Sequence, residues 1–551
     1  MPSPLVLLIG PAGCGKTTVG RPLADALDVR FVDADDLHSA AAIERMRRGE
    51  ALGDAERAPW LDRVRHELER AAASGTGLVV GCSALRAAYR ERLRTGLAVR
   101  CVQLDVPPDE LRARLAARRD HFFPASLLDS QLAALEPLGA AERVDATQEL
   151  AVVVRAIREL LARPAARIVD ALALPTYDLG PDHPFAPDRQ HALFDLLRRT
   201  GAMTDADVLA TAPLDAGALA RVHDLDYVRC LIATSMPLPS DATIALAPQH
   251  GLGAGDNPIA EGQHDAAAAV AGATVAAVDA VFDGMCRAAF NPAGGLHHAM
   301  PDRAAGFCLY NDLALAMHRA FDRGAERVLY VDFDVHHGDG VEAVFRGDPN
   351  ALTISFHEDP RVRYPGTGFV EDIGTGEGRG KTLNVPLAPG TTDASFVEVT
   401  ERVLTAAGAG FRPDLIVSQH GCDTHREDPL ATLECTTAVA RRNAELCRRL
   451  ADRWCEGRWV ATGGGGYRPR HVIPRAWALV WGALADRKLP HDLPEEWRQR
   501  WQQRADDPLP RTITDADAAT VPYHERAAAT NRATVDRLFE LVDWLGPAAA
   551  D

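Results

Sequence analysis

Lysine is nearly missing from this 551-residue chain. Among 60 lysine and arginine residues, only Lys16, Lys381 and Lys488 are lysines. Each therefore marks a position worth asking about, because a compact ammonium and a planar guanidinium are not interchangeable. The ten cysteines are scattered with no C-x-x-C pair, which argues against a disulfide framework and against a cysteine zinc site. No unbroken apolar run reaches the roughly 18–20 residues of a membrane span. The opening PLVLLIG is too short and too uncharged to read as a signal peptide. A formal charge of −17 argues against nonspecific binding to nucleic acid or to acidic membrane surfaces. What is present is a globular composition, 47% hydrophobic and 25% charged, at a length that implies two or three domains. The expectation is a cytoplasmic enzyme with neither nucleic acid nor membrane as a partner.

Residues 328–340 read VLYVDFDVHHGDG. The first half is an apolar, β-branched run, predicting a buried strand over 328–334. Alternate side chains of a strand share a face, which would project Asp332, Asp334 and His336 together. Two carboxylates and an imidazole are costly to bury, and a divalent cation removes that cost. The Asp/His mixture suits zinc or ferrous iron. Asp339 and two glycines follow where the backbone must turn.

Near the start, a short predicted strand runs into GPAGCGKTT, residues 10–18, which is G-x-x-x-x-G-K-T. Gly10, Gly13 and Gly15 let backbone N–H groups, including those of Cys14 and Thr18, converge on phosphate oxygens at a helix start. Lys16 would reach the outer phosphates and Thr17 would ligate Mg2+. One of the three lysines thus stands where a phosphate loop requires an ammonium.

The segments FVDADDLH (31–38), RMRRGEALGDAERAPWL (45–61), GCSALRAAYRERLR (81–94) and RRDHFFPASLLDSQLAALEPL (118–138) follow in that order. Together with the loop they make residues 1–163 resemble gluconokinases, which are P-loop kinases related to shikimate kinase. The resemblance implies ATP-dependent phosphorylation of gluconate, with Asp35 orienting or deprotonating the acceptor hydroxyl. Arg57 and Arg90 would hold the sugar acid, and Arg114 and Arg118 would belong to a lid over the phosphates. Two departures stand near the substrate. The family's H-P-x-x-N is His38-Ser39-Ala40-Ala41-Ala42 here, and its L-N-D is Leu52-Gly53-Asp54.

Beyond Pro164, apolar strands alternate with Ala/Leu-rich helices, predicting a parallel α/β sheet with its chemistry at the carboxyl ends of the strands. Strands are predicted over 351–356, 415–419 and 459–462, and helices over 265–281 and 312–321. The motifs YDLGPDHPFAPDR (177–189), GLHHA (295–299), GFC (306–308), DFDVHHGDG (332–340), YPGTG (364–368), QHGCD (419–423) and GGGGY (463–467) then appear. Residues 167–490 thereby resemble the histone deacetylase superfamily, particularly acetoin-utilisation deacetylases. The implied fold class is α/β throughout: a P-loop kinase domain with helices on both sides of a parallel sheet, then an arginase/deacetylase-like domain.

Carried over residue by residue, Asp334, His336 and Asp423 would ligate zinc. His298 would be the general base and acid, oriented by Asp339, with His297 held by Asp332 and Tyr467 donating to the oxyanion. Gly306, Phe307 and Tyr364 would line an acyl tunnel with Asp256 at its rim. Asp332, Asp334 and Ser355 would match a structural K+ or Na+ site. Residues 491–551, charged and Trp-rich and then helical over 525–545, are read as a tail packed on this domain. The expected function is bifunctional, ATP-dependent gluconate phosphorylation plus hydrolysis of acyl-lysine amides in protein or of small acylated amines. The alternative is an acetylpolyamine or small-amide deacetylase whose first domain senses nucleotide and is catalytically weak.

Overall fold

A computed structural model describes residues 4–50, 52–94, 97, 99–117, 128–138, 142–180, 183–185, 187–253, 255–515 and 524–546. The chain divides into two compact units, 1–163 and 164–551.

The first unit holds five parallel strands: β1 (Leu5–Ile9), β2 (Arg30–Asp33), β3 (Leu78–Gly81), β4 (Val99–Asp105) and β5 (Arg143–Asp145), in the order β2-β3-β1-β4-β5. All five residues of central β1 are buried, which is why it reads as a continuous apolar run. β1 passes through the glycine loop into the helix Lys16–Leu27, and the loop's Gly10, Gly13 and Gly15 all have positive φ, at 144°, 88° and 98°. Only glycine takes that succession cheaply. The unit closes with the helix Leu150–Ala162, ended before Pro164.

The second unit is an eight-stranded sheet whose neighbouring strands all pair in parallel. Its strands are β6 (Ala166–Val169), β7 (Val208–Leu209), β8 (Ala288–Asn291), β9 (Val328–Asp332), β10 (Ala351–Glu358), β11 (Thr382–Leu387), β12 (Leu415–Gln419) and β13 (Trp459–Thr462). The order is β11-β10-β9-β12-β13-β8-β6-β7, so β9, β12, β13 and β8 lie side by side. Two large apolar clusters cover the sheet, one around Trp459, Trp477 and Trp481 and one around the helices Gln263–Phe282 and Asp312–Asp322. The helix Gln263–Phe282 is long and apolar enough by composition to cross a membrane, and 72% of its most apolar window is buried inside the protein. His264, Asp265 and Asp279 interrupt it, so it forms no unbroken apolar run, and its core position accounts for its composition.

The tail lies against this unit. Trp497 Nε1 donates to Ala192 O at 2.9 Å, and Trp501 Nε1 to Asp195 Oδ2 at 2.9 Å. The helix Glu525–Leu541 contacts β11 and the helix Asp393–Phe411. Its anchor is Asn531, which is fully buried. Asn531 Nδ2 donates to Thr391 Oγ1 (2.8 Å) and Ser395 Oγ (2.9 Å), and its Oδ1 accepts from Ala388 N (2.8 Å). Asn531→Ala removes little apolar area but strands the Ala388 N–H, and an unpaired buried polar group costs about 1–3 kcal/mol. The expected outcome is a lower denaturant midpoint for this unit. Tryptophan fluorescence reports it, since seven of the eight tryptophans lie in residues 164–551. An unchanged midpoint would show that the helix does not dock through Asn531.

Candidate active site

The site is built at the carboxyl ends of β8, β9, β12 and β13. β9 ends at Asp332, two residues short of the predicted strand, so strand alternation does not bring Asp334 and His336 together. Asp332 Oδ1 accepts the Asp334 N–H at 3.1 Å, and Asp334 Oδ1 accepts the His336 N–H at 3.0 Å. Aspartates compete with the sheet for nearby backbone donors, and here two successive side-chain turns replace the ladder. The last sheet-like bond, Phe333 N to Gln419 O, is 3.1 Å long.

From β12 comes Asp423. Asp334, His336 and Asp423 are all buried, with their ligand atoms within 4.8 Å of one another. His336 Nδ1 lies 3.0 Å from Asp334 Oδ1 and 3.1 Å from Asp423 Oδ2. Asp334 Oδ2 accepts from Gln419 Nε2 at 2.6 Å and from Gly465 N at 2.7 Å, while Asp423 Oδ1 accepts from Val335 N at 2.9 Å. Gly465 has to be glycine, because a Cβ there would sit 2.1 Å from Asp423 Oδ2. Burial, and then the charge of Asp334, pushes the Asp423 carboxyl up to about 8. Burial disfavours a charged His336, but Asp334 and Asp423 outweigh it and raise the imidazole to about 10. Two carboxylates with one imidazole form a donor set that fits a divalent ion.

Beside the cluster lie two histidine–aspartate pairs. His297 Nδ1 is 2.7 Å from Asp332 Oδ2, His298 Nδ1 is 2.6 Å from Asp339 Oδ1, and the two Nε2 atoms face each other at 3.1 Å. A carboxylate only accepts, so each Nδ1 carries a proton, and the two Nε2 atoms share a hydrogen bond in which a charged His297 donates to a neutral His298. Burial lowers both imidazoles, but Asp332 and Asp334 overcome it at His297 and raise that ring to about 9. At His298 burial and then the neighbouring His297 charge prevail, taking it down to about 4. One ring is held charged and the other neutral, the separation from which acid and base roles follow. Asp312 sets the turn that presents both, accepting from Leu296 N at 2.8 Å and Gly295 N at 3.1 Å.

Tyr467 stands over the cluster, its ring 6.5 Å from His336 and 5.9 Å from Phe307. Its N–H donates to Asp428 Oδ2 at 2.8 Å, and its hydroxyl has no hydrogen-bond partner among the described residues. Burial, then Asp423 and Asp334, raises the phenol well above its ordinary value and keeps it protonated. The Tyr364 ring lies 5.1 Å from that of His298, and the residue is 45% exposed. Gly306 leaves room between them, because a Cβ there would lie 2.5 Å from His298 and 3.0 Å from Tyr364. Phe307 is tied through its carbonyl to the Tyr177 hydroxyl at 2.9 Å and is met edge-on by His183. Asp256 is exposed and touches His183 through its carbonyl. Ser355 pairs opposite Asp332 across β10 and β9, and its hydroxyl bonds His357 Nδ1 at 2.9 Å.

Several supporting groups had no signature in the sequence. Gln419 stands inside QHGCD, yet nothing local shows that its amide reaches Asp334. Tyr330 donates to Asp332 at 2.5 Å from the same strand. Arg189 is buried, donates to Gly464 O at 2.9 Å and lies over the Phe185 ring.

In the first unit, Lys16 Nζ donates to Gly10 O at 2.9 Å and to Pro11 O at 3.0 Å. Cys14 is buried in the loop and Thr18 is exposed beside it. Thr17 Oγ1 donates to Asp33 Oδ2 at 2.6 Å, and Asp33 Oδ1 accepts the Asp35 N–H at 3.1 Å. Asp33, the first aspartate of the D-x-D, was not singled out from the sequence, and it stands at the end of β2, paired opposite Gly81 of β3. Arg57 NH1 donates to the Tyr89 hydroxyl at 3.1 Å. Arg90 is buried and spends NH1 on the Ala84 and Leu85 carbonyls at 3.1 and 2.7 Å, so it holds a loop. Arg114 bonds Glu110 and the Ala146 carbonyl, and Arg118 lies outside the described residues.

The comparisons with known proteins agree with this division. Residues 5–138 match the model of the AAA domain. The acetoin utilization protein AcuC of Bacillus subtilis (strain 168) is 39% identical over 307 residues, 56% of this chain and 78% of that protein. AcuC of Staphylococcus xylosus is 34% identical over 314 residues, 57% of this chain and 81% of its own. Two crystal structures of an HDAC homolog, one complexed with SAHA and one from Aquifex aeolicus, superimpose with TM-scores of 0.61 and 0.60. Each is 26% identical and covers 68% of this chain and 99% of its own. Residues 183–484, more than half of the chain, match the histone deacetylase domain, and the chain belongs to that family.

Proposed function

We propose that the second unit is a zinc-dependent deacylase that hydrolyses acyl amides of the lysine type, in protein or as a small acylated amine. The observation that carries this reading is the buried Asp334–His336–Asp423 cluster set beside the His297–Asp332 and His298–Asp339 pairs. A cation held by the three ligands would supply Lewis acidity, polarising the amide carbonyl and acidifying water. The remaining work belongs to the chain. His298 Nε2 accepts a proton from the attacking water and returns it to the amine as the C–N bond breaks, leaving a carboxylic acid and a free amine. Asp339 holds the ring in the tautomer this requires. His297 stays charged and contributes its field, and Tyr467 donates to the oxygen as it becomes negative. Phe307 and Tyr364 would flank an extended aliphatic stem, with Asp256 accepting backbone N–H groups at the rim. K+ or Na+ at Asp332, Asp334 and Ser355 would neutralise the acids behind the zinc.

The first unit, in this reading, transfers phosphate from ATP to gluconate. Lys16, with Mg2+ at Thr17 and Asp33, would neutralise the phosphates while Asp35 orients the acceptor hydroxyl. The competing reading, a nucleotide sensor weak in catalysis, is favoured by Ala42 and by the use of Arg90 as a loop support.

Purified protein is expected to hold about one tightly bound zinc per chain, as three-ligand sites do. Elemental analysis measures it. Zinc unchanged in both Asp334→Ala and Asp423→Ala would remove this ligand set, and iron in its place would replace the metal but keep the site.

A further inference from the structure

Asp515, in the tail, lies far in sequence from every group of the candidate hydrolytic site. Its carboxylate is nearly buried and collects donors from two separate segments. His425 Nε2 (3.1 Å), Thr437 N (2.8 Å) and Thr437 Oγ1 (2.8 Å) reach it from the stretch following β12. Arg475 NH1 (2.6 Å) reaches it from the helix Ile473–Ala485, which follows β13. Arg475 is fully buried, and Asp515 is its sole carboxylate partner among the described residues.

These two segments carry the two parts of the site that must be held relative to each other. His425 is two residues beyond Asp423 and is fixed at both ring nitrogens, since its Nδ1 accepts the Glu427 N–H at 3.2 Å. Its backbone N–H bonds Cys422 O at 3.2 Å, and its carbonyl takes the Asp428 N–H at 2.8 Å. Asp428 in turn accepts the Tyr467 N–H. On the other side, Arg475 Nε donates to His471 O at 2.5 Å, in the turn that follows Tyr467. One carboxylate therefore clamps the Asp423 loop to the Tyr467 loop.

We propose that Asp515 is a positioning residue for the hydrolytic site, acting through His425 on Asp423 and through Arg475 on the Tyr467 loop. The inference rests on the reading of Asp423 as a metal ligand and of Tyr467 as an oxyanion donor. Groups that orient a ligand without touching the metal typically change metal affinity or activity 10–100-fold when mutated. Asp515→Asn keeps the shape and one good acceptor but loses the charge facing Arg475 and His425.

The test uses the full-length chain, freed of metal by a chelator and titrated with Zn2+ against a chromophoric competitor. Turnover of an acetyl-lysine peptide is then measured on the zinc-loaded protein. Asp515→Asn is expected to weaken zinc binding about 10–100-fold and to lower kcat while KM stays near the parent value. Because removing a partner from buried Arg475 could prevent folding, His425→Leu is made in parallel. It breaks the link from Asp515 to the Asp423 loop, together with the Glu427 N–H bond inside that loop, and leaves the Arg475–Asp515 pair intact. It should show the same zinc defect, and His425→Gln, whose amide nitrogen can stand where Nε2 does, should restore most of it. A merely structural role would lower the melting temperature in all three without this pattern. Folded His425→Leu with parental zinc affinity and kcat overturns the proposal alone. A parent protein that binds no Zn2+ overturns it together with the reading on which it rests.

Discussion

Tyr467→Phe is expected to lower kcat for acetyl-lysine amide hydrolysis by about 10²–10³, the usual cost of losing one oxyanion donor. The substitution removes one hydroxyl and leaves the ring, which still meets Phe307 and His336. The N–H bond to Asp428 is a backbone bond and survives. The hydroxyl has no other partner among the described residues, so its loss strands no buried group and folding should be nearly untouched. A ground-state amide oxygen is a weaker acceptor than the oxyanion, so KM should move far less than kcat. Zinc content and melting temperature serve as controls. A fall confined to KM would place Tyr467 in substrate binding, and turnover within about threefold of the parent, far short of the donor loss expected, would make it a bystander.

Lys16→Ala should abolish ATP turnover and leave amide hydrolysis unchanged. Lys16 Nζ now rests on two carbonyls of its own loop, neutral acceptors that it would exchange for phosphate oxygens. Alanine supplies no charge, and Lys16→Arg should fare little better because the planar guanidinium does not fit a cradle shaped for an ammonium. The hydrolytic groups belong to the other compact unit, so the two effects should be independent. Parallel assays on one preparation of each variant check both. Loss of both activities in a folded variant would mean that the units are coupled and would favour the nucleotide-sensing reading. Absence of gluconate-stimulated ADP formation in the parent protein would remove the sugar-acid assignment.

Much of this molecule is legible along the chain because its central strands are buried on both faces. β12 and β13 coincide with the runs 415–419 and 459–462, since a fully buried strand is a short apolar block bounded by turn residues. The helices Gln263–Phe282 and Asp312–Asp322 differ from their expected bounds by two residues or fewer at each end. β9 was harder. Phe333 and Val335 continue the alternation in sequence, whereas the carboxylates of Asp332 and Asp334 capture the backbone donors that a longer strand would use. Arg90 is a different case. The resemblance gives it the sugar acid to hold, and only packing shows its guanidinium turned inward onto two carbonyls.

The sequence by itself determined the class of chemistry available. Ligand types, glycine positions and the single lysine of the phosphate loop are properties of individual residues, and elementary sterics and donor sets constrain them wherever they lie. Only the tertiary structure decided which of those residues act together. Asp423 joins Asp334 and His336 because β12 pairs beside β9 in parallel, and His297 and His298 join them because β8 lies two strands further on, beyond β13. Gln419, Asp33 and Asp515 acquire their partners across 16 to 90 residues of chain, separations at which no local pattern constrains contact. Such pairings follow from sheet order and from where the tail comes to rest, and those are set by burial of the whole core rather than by any one segment.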